Sequence, residues 1–85
     1  MYRIVWTVKA TKQLRKLKEA SMQKRIYREA QALTDFPNCA NVKKLVNAAY
    51  GYRLRVGGYR VLVDFDGTVK IVRIEEVRKR DGHTY

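Results

Sequence analysis

Apolar residues take every second position over residues 2–8, which predicts a β-strand with one face against a core. From Ala10 the apolar spacing becomes helical, with lysines on most of the other positions. A second helix is predicted with Ser21 as its N-cap and Pro37 as its end, because an apolar stripe lies between them. That stripe consists of Met22, Ile26, Ala30 and Leu33. The two helices are therefore expected to form a hairpin.

The second half of the chain shows further alternating segments, over residues 50–56, 59–65 and 68–76. Gly57-Gly58 and Asp66-Gly67 separate these segments, and both pairs are typical of two-residue hairpin turns. Residues 37–49 follow neither period, so their conformation is left open. The pattern predicts one α+β domain spanning all 85 residues in the order β-α-α-β-β-β. Its small, twisted, mostly antiparallel sheet would carry the helix hairpin on one face.

If both hairpins have two-residue turns, the pairing of the last three strands follows, and the pairing shows which side chains share a face. The face packed on the helices would contain Leu54, Val56, Tyr59, Val61, Val63, Phe65, Val72 and Ile74. The opposite face would contain Arg53, Arg55, Arg60 and Arg73 around Leu62 and Ile71, with Asp64 and Glu75 near its edges. Directly paired positions would then place Arg55, Arg60 and Arg73 in one row across three strands.

A row of like charges across antiparallel strands is destabilising unless opposite charge compensates it. One explanation is a solvated face on which Asp64, Glu75 and water screen the arginines. The other is a bound anion, because guanidinium groups offer forked donors to phosphate oxygens and stay charged at any working pH. We favour the anion.

The overall charge also indicates a polyanionic partner, since 19 Lys and Arg oppose 8 Asp and Glu and leave a formal net charge of +11. Nucleic acid is the favoured partner, with an acidic protein or an anionic membrane as alternatives. A single Cys39 and one histidine exclude an internal disulfide and the usual zinc sites, so no metal or cofactor is expected. No signal-peptide core and no run of 18 apolar residues occurs, and the expected location is the cytoplasm, without membrane contact.

Three segments resemble one family: Lys43-Lys44-Leu45, residues 50–61, and Arg78-Lys79-Arg80 with Tyr85. They are similar to the RelE branch of the RelE/ParE toxin superfamily, whose element order also fits essentially the whole chain. The resemblance implies a type II toxin that acts as a ribosome-dependent endoribonuclease, an mRNA interferase. It would cleave mRNA in the ribosomal A site, and a small cognate antitoxin protein would silence it.

The resemblance also implies roles for individual residues. Arg60 and Arg80 would stabilise the phosphate, and Arg55 would position the RNA backbone and neutralise its charge. Tyr85 would stack on a base or transfer a proton, and His83 is a candidate acid or base. The implied RNA-binding residues are Lys43, Lys44, Arg53, Arg73, Arg78 and Lys79.

Two departures from the family pattern affect these roles. The family typically has lysines at the positions of Arg53 and Arg55, and Lys79 or Arg78 could replace Arg80 in the correspondence.

The implied cleavage needs no metal. The RNA's own 2′-hydroxyl would attack the neighbouring phosphate and leave a cyclic phosphate.

Other functions are compatible with the same fold, because fold does not determine function. A ParE-like protein would poison DNA gyrase and cut nothing itself, and a non-catalytic module would bind RNA and leave it intact.

The eight Lys and Arg from Lys9 to Arg28 would be either a solvated helix face or a contact with ribosomal RNA. An antitoxin segment is expected to dock as a helix or strand on apolar surface at the sheet edge or between the helices.

Overall fold

A computed structural model describes residues 1–36 and 38–79. Its elements in chain order are β1 (Arg3–Trp6), α1 (Val8–Arg15), α2 (Ala20–Gln31), a 3₁₀-helix (Ala32–Asp35), β2 (Val42–Lys44), β3 (Tyr52–Val56), β4 (Tyr59–Asp66) and β5 (Ile71–Lys79). The α+β class and the order of the predicted elements are confirmed. The structure adds β2, whose three residues are too few to show an alternation in the sequence. None of the described helices is both long enough and apolar enough to cross a lipid bilayer.

The five strands form one sheet in the order β1-β5-β4-β3-β2. β1 pairs with β5 in parallel, whereas the other neighbouring strands are antiparallel. The prediction of a mostly antiparallel sheet is therefore correct. β3, β4 and β5 lie inside the sheet, so the strands that carry the predicted arginines have neighbours on both sides.

α1 begins earlier than predicted because Thr7 acts as its N-cap. The Thr7 hydroxyl accepts a hydrogen bond from the Ala10 backbone N–H at 3.1 Å, and it donates to the Ile74 carbonyl at 3.0 Å. One side chain thus satisfies a helix terminus and attaches that terminus to β5. The strand predicted over residues 2–8 is shortened to β1, and Val8 belongs to the helix.

Replacing Thr7 with alanine should lower the free energy of unfolding by about 1–2 kcal/mol, because both hydrogen bonds of the hydroxyl are lost. Urea denaturation of the variant would measure this loss. Thr7→Ser retains the hydroxyl and should lose less than half as much. Equal losses for the two variants would show that the methyl group, rather than the hydroxyl, provides the stabilisation.

The predicted start and end of the second helix are both corrected. Glu19, and not Ser21, is the N-cap of α2, and it makes no side-chain capping bond. The Gln23 amide instead ties the helix to the preceding turn by donating to the Leu17 carbonyl at 2.6 Å. The helix ends at Gln31 and continues as the 3₁₀-helix. The predicted stop, Pro37, lies outside the described residues.

The core lies between the helices and the predicted apolar face of the sheet. Its buried members are Ala10, Ile26, Ala30, Leu33, Leu54, Val56, Val61, Val63, Val72, Ile74 and Val77. Tyr59 and Phe65 are partly buried against this cluster, so every residue predicted for the apolar face packs in the core. The opposite face of the sheet is therefore available for other roles.

The first hairpin has the predicted register, whereas the second turn is longer than predicted. Arg55 pairs with Arg60 across the first turn. In the second turn, the Asp66 carboxylate accepts hydrogen bonds from the backbone N–H groups of Thr68 and Val69 at 3.0 and 3.3 Å. Lys70 in the same turn has a φ of 57°. Residues 67–70 consequently form the loop. Because the loop length is still even, the first residues of β5 keep their predicted faces.

A β-bulge then changes the faces of the rest of β5. Val63 pairs with Ile74 but Leu62 pairs with Glu76, so Glu75 is an extra residue in the strand. Beyond the bulge Val77 turns into the core, and the neighbouring residues turn to the opposite face. The longer turn pairs Arg73 with Asp64 instead of Arg60, and the turn and the bulge together pair Arg60 with Arg78. The predicted row is therefore wrong in one member, because Arg78 occupies the place predicted for Arg73.

Candidate functional site

Three arginines meet across the central strands on the face opposite the core. Arg55 pairs with Arg60, and Arg60 pairs with Arg78. Adjacent strands lie about 4.8 Å apart, so the outer two backbones of this set are about 10 Å apart. Arg55 and Arg78 are exposed and Arg60 is half-buried. We call this set the arginine row, and its long side chains can reach one common phosphate.

A second line of paired residues lies beside the row and has a buried centre. Lys43 pairs with Arg53, Arg53 with Leu62, and Leu62 with Glu76. Leu62 is 2% exposed and Glu76 is 4% exposed, whereas the two basic residues lie towards the sheet edge. We call the cationic surface formed by Lys43, Arg53, Arg55, Arg60, Arg73 and Arg78 the arginine face. Most of the residues predicted to contact RNA are thus on one side of the sheet.

The other predicted site residues are placed differently. Arg73 lies on the arginine face but about 13 Å along the sheet from Arg60, where it pairs with Asp64 and its guanidinium is 4.0 Å from the Glu75 carboxylate. Lys44 and Lys79 occupy register positions on the core face, opposite Tyr52 and Tyr59 respectively. The remaining predicted site residues, Arg80, His83 and Tyr85, lie outside the described residues.

The structure also shows a functional candidate that the sequence did not reveal, the buried carboxylate of Glu76. Two bonds of 2.9 Å reach it from the Nε and Nη2 atoms of Arg78. The Tyr50 hydroxyl donates to it at 2.6 Å and the Gln13 amide at 3.4 Å, while the Lys9 ammonium lies 3.4 Å away. The bidentate pair holds the Arg78 guanidinium in one orientation at the end of the arginine row.

The same contacts determine the protonation states at this position. The hydrogen bonds from Arg78, Tyr50 and Gln13 lower the pKa of Glu76 from 4.5 to about 2, although burial acts in the opposite direction. The bond to Glu76 in turn raises the pKa of Tyr50. At neutral pH Glu76 is therefore ionised and Tyr50 is neutral. In these states the Glu76 carboxylate accepts hydrogen bonds from both Tyr50 and Arg78.

Glu75, next to Glu76 in the bulge, has the opposite electrostatic character. Burial raises its pKa, and a hydrogen bond with Asp64 together with the charge of that carboxylate raises it further. This carboxyl pair lies beside Arg73 and not at the arginine row. The two ends of the face thus differ, with a cationic row at one end and a carboxyl pair with a single arginine at the other.

The arginine row is suited to binding a phosphodiester and to stabilising extra negative charge on it. Each guanidinium presents several N–H donors in a fixed plane, and fixed donors are most effective where charge develops in a transition state. Within residues 1–36 and 38–79, no three His, Cys, Asp or Glu side chains gather in a way that could hold a metal ion.

Comparison of the fold with solved structures gives close matches over nearly the whole chain. The RelBE2 toxin–antitoxin complex from Mycobacterium tuberculosis matches with a TM-score of 0.78 and 25% identity, covering 93% of this chain and 98% of that chain. An archaeal RelE–RelB complex from Pyrococcus horikoshii has the same TM-score and identity, covering 98% of both chains. The isolated Escherichia coli RelE toxin matches with a TM-score of 0.77 at 19% identity, covering 95% of this chain and 86% of that chain.

Comparison of the sequence with curated protein sequences gives no significant match. The model of one protein family, described as the ParE toxin of type II toxin–antitoxin systems, matches residues 4–81 and therefore nearly the whole chain. Because fold and family model agree, the chain belongs to the ParE toxin family and is a type II toxin of the RelE/ParE superfamily.

Proposed function

We propose that this toxin is a ribosome-dependent endoribonuclease that cleaves mRNA in the ribosomal A site. The arginine row is the observation that carries the proposal. Arg55, Arg60 and Arg78 lie side by side in paired positions of three strands, and Glu76 fixes the orientation of Arg78. Their guanidinium groups would offer forked hydrogen-bond donors to one scissile phosphate.

The proposed reaction uses the RNA's own 2′-hydroxyl as the nucleophile. The 2′ oxygen bonds to phosphorus, the bond from phosphorus to the 5′ oxygen breaks, and a 2′,3′-cyclic phosphate remains. A base takes the proton of the 2′-hydroxyl, and an acid gives one to the departing 5′ oxygen. Arg60 and Arg55 stabilise the charge of the crowded phosphorane. We assign the second phosphate contact to Arg80 and the proton transfers to His83 and Tyr85.

The small number of acid and base groups on the described part of the arginine face supports the proposed dependence on the ribosome. An enzyme with strong cations and weak proton transfer gains most when its substrate arrives already oriented. The eight Lys and Arg from Lys9 to Arg28 are all exposed, and they offer a second cationic surface for ribosomal RNA. In this proposal the helices bind the ribosome and the sheet acts on the messenger.

Mapping RNA ends in a reconstituted translation reaction tests the proposal. Purified toxin should produce cuts phased with the codons, and the fragments should carry 2′,3′-cyclic phosphate and 5′-hydroxyl ends. Without ribosomes the same mRNA should remain largely intact. Intact mRNA on translating ribosomes would contradict the proposal, and intact but tightly bound RNA would indicate a non-catalytic RNA-binding module.

Inhibition of DNA gyrase is the second candidate function, because the family model that matches is named for the ParE toxin. It predicts a DNA damage response in producing cells and loss of supercoiling by purified gyrase, with messenger left intact. Codon-phased ends without a damage response would exclude it in favour of RNA cleavage.

We also propose a cognate antitoxin as a protein partner in the cytoplasm. The solved structures from M. tuberculosis and P. horikoshii are complexes of this kind. An antitoxin that silences the toxin would cover the arginine face or prevent its access to the ribosome.

A further inference from the structure

A cavity of about 310 Å³ opens on the arginine face beside the arginine row. The segment from Leu45 to Tyr50 forms one wall, while Leu62 and Arg78 form the other boundary. The lining is mainly apolar, and Arg78 is the charged side chain that borders it. The volume falls at the lower end of the range of small-molecule sites, about 300–1,000 Å³.

The polar side chains that line this cavity are held in place by hydrogen bonds within the protein. Tyr50 and Arg78 both line it, and both are bonded to the Glu76 carboxylate, whose side chain is only 5% exposed. The Arg78 guanidinium therefore has a defined orientation, supplied by two bonds of 2.9 Å. Leu62, which is 2% exposed, adds a buried apolar contact beside it.

We propose that this cavity binds one nucleobase of the RNA strand whose phosphate lies on the arginine row. The inference rests on the proposed function and adds a subsite to it. Arg78 belongs to both features, so a phosphate on the row and a base in the cavity would come from the same nucleotide or from adjacent ones. Proteins that bind single-stranded RNA hold unstacked bases on arginine planes and apolar side chains, and this cavity combines both surfaces.

The test uses the purified toxin and a short single-stranded RNA of mixed sequence at low salt. A set of oligonucleotides carries one abasic site at successive positions, which removes a base but keeps its ribose and phosphate. One position should lower the affinity about tenfold, the effect expected for losing one stacked base. A toxin variant with a filled cavity, Ala48→Leu with Ala49→Leu, should bind intact RNA about tenfold more weakly. That variant should be insensitive to the abasic site.

A matched control adds the same side chains elsewhere. Ala20→Leu with Ala32→Leu alters two exposed alanines on the helical side, and it should retain the affinity and the abasic profile of the unmodified toxin. Additive losses from the filled cavity and the abasic site would overturn the inference. Unchanged RNA affinity with impaired antitoxin binding would also overturn it and assign the cavity to a protein side chain. The proposed function fails separately, if mRNA on translating ribosomes stays intact in the presence of the unmodified toxin.

Discussion

Replacing Arg60 with alanine is expected to reduce translation-dependent mRNA cleavage at least about 100-fold while the protein remains folded. Arg60 is the central member of the arginine row, with Arg55 on one side and Arg78 on the other. Removing one fixed donor from a developing anionic charge commonly lowers the rate 10²- to 10³-fold. Cleavage of mRNA in a reconstituted translation reaction measures the effect, and circular dichroism verifies the fold.

Two further variants separate chemistry from net charge. Arg60→Lys keeps the positive charge but not the forked donors, and its activity should lie between those of the wild type and the alanine variant. Arg3→Ala removes one exposed charge from the edge strand β1, distant from the arginine row, and should cleave within about twofold of the wild type. An Arg60→Ala protein as active as Arg3→Ala would remove the basis for assigning catalysis to the row.

Replacing Glu76 with glutamine should lower the free energy of unfolding at pH 7 by about 3 kcal/mol. Glutamine has the shape of the protonated carboxyl group but lacks the charge that Arg78 and Lys9 bind. The pKa of Glu76 falls from 4.5 to about 2 on folding, and each pKa unit corresponds to about 1.4 kcal/mol. Urea denaturation of the two proteins measures the difference.

The pH dependence of that difference has a defined sign. Because folding lowers the pKa of Glu76, its contribution is present in full above pH 4.5 and is lost as the pH falls towards 2. The stabilities of the wild type and Glu76→Gln should therefore converge near pH 2. Glu75→Gln is the matched control, since the pKa of Glu75 is raised on folding and its charged form is disfavoured. A loss at pH 7 as large for Glu75→Gln as for Glu76→Gln would refute the assigned role of the Glu76 contacts.

Much of the fold could be predicted because the alternation of apolar residues is strong. Val61, Val63 and Val72 on the core face are fully buried, and the register of that face through the first turn follows from Gly57-Gly58. The class, the element order and the location of an arginine-rich face opposite the helices all depend on this pattern. Local periodicity was sufficient for each of these features.

Regular strand pairing does not predict the bulge at Glu75. The bulge contributes to the change in which arginine is the third member of the arginine row. The sequence does contain a signal, since the apolar alternation of Val72 and Ile74 skips to Val77 instead of continuing at Glu76. Such a break marks an extra residue in a strand. The length of the second turn was also not predicted. The Asp66 side chain accepts hydrogen bonds from backbone N–H groups of the turn, and such local bonds compete with the pairing of a two-residue turn.

The Glu76 contacts were beyond prediction for a different reason. Gln13, Tyr50 and Arg78 come from three separate regions of the chain, and only the packed fold brings them to one carboxylate. β2 is likewise specified by its partner rather than by its own sequence, since Lys43 and Lys44 have no apolar alternation. Long-range contacts of this kind leave no periodic trace.

Neutralising single phosphates along a bound RNA tests the central claim most directly, namely that the arginine row holds one phosphodiester. Each linkage of a short single-stranded RNA is replaced in turn by an uncharged methylphosphonate, and affinity for the wild type and for Arg60→Ala is measured at low salt. The account predicts one linkage whose neutralisation weakens wild-type binding about tenfold, the loss of a charge-assisted contact, and no such linkage in Arg60→Ala. Small and equal losses at every linkage, or the same profile for both proteins, would contradict it.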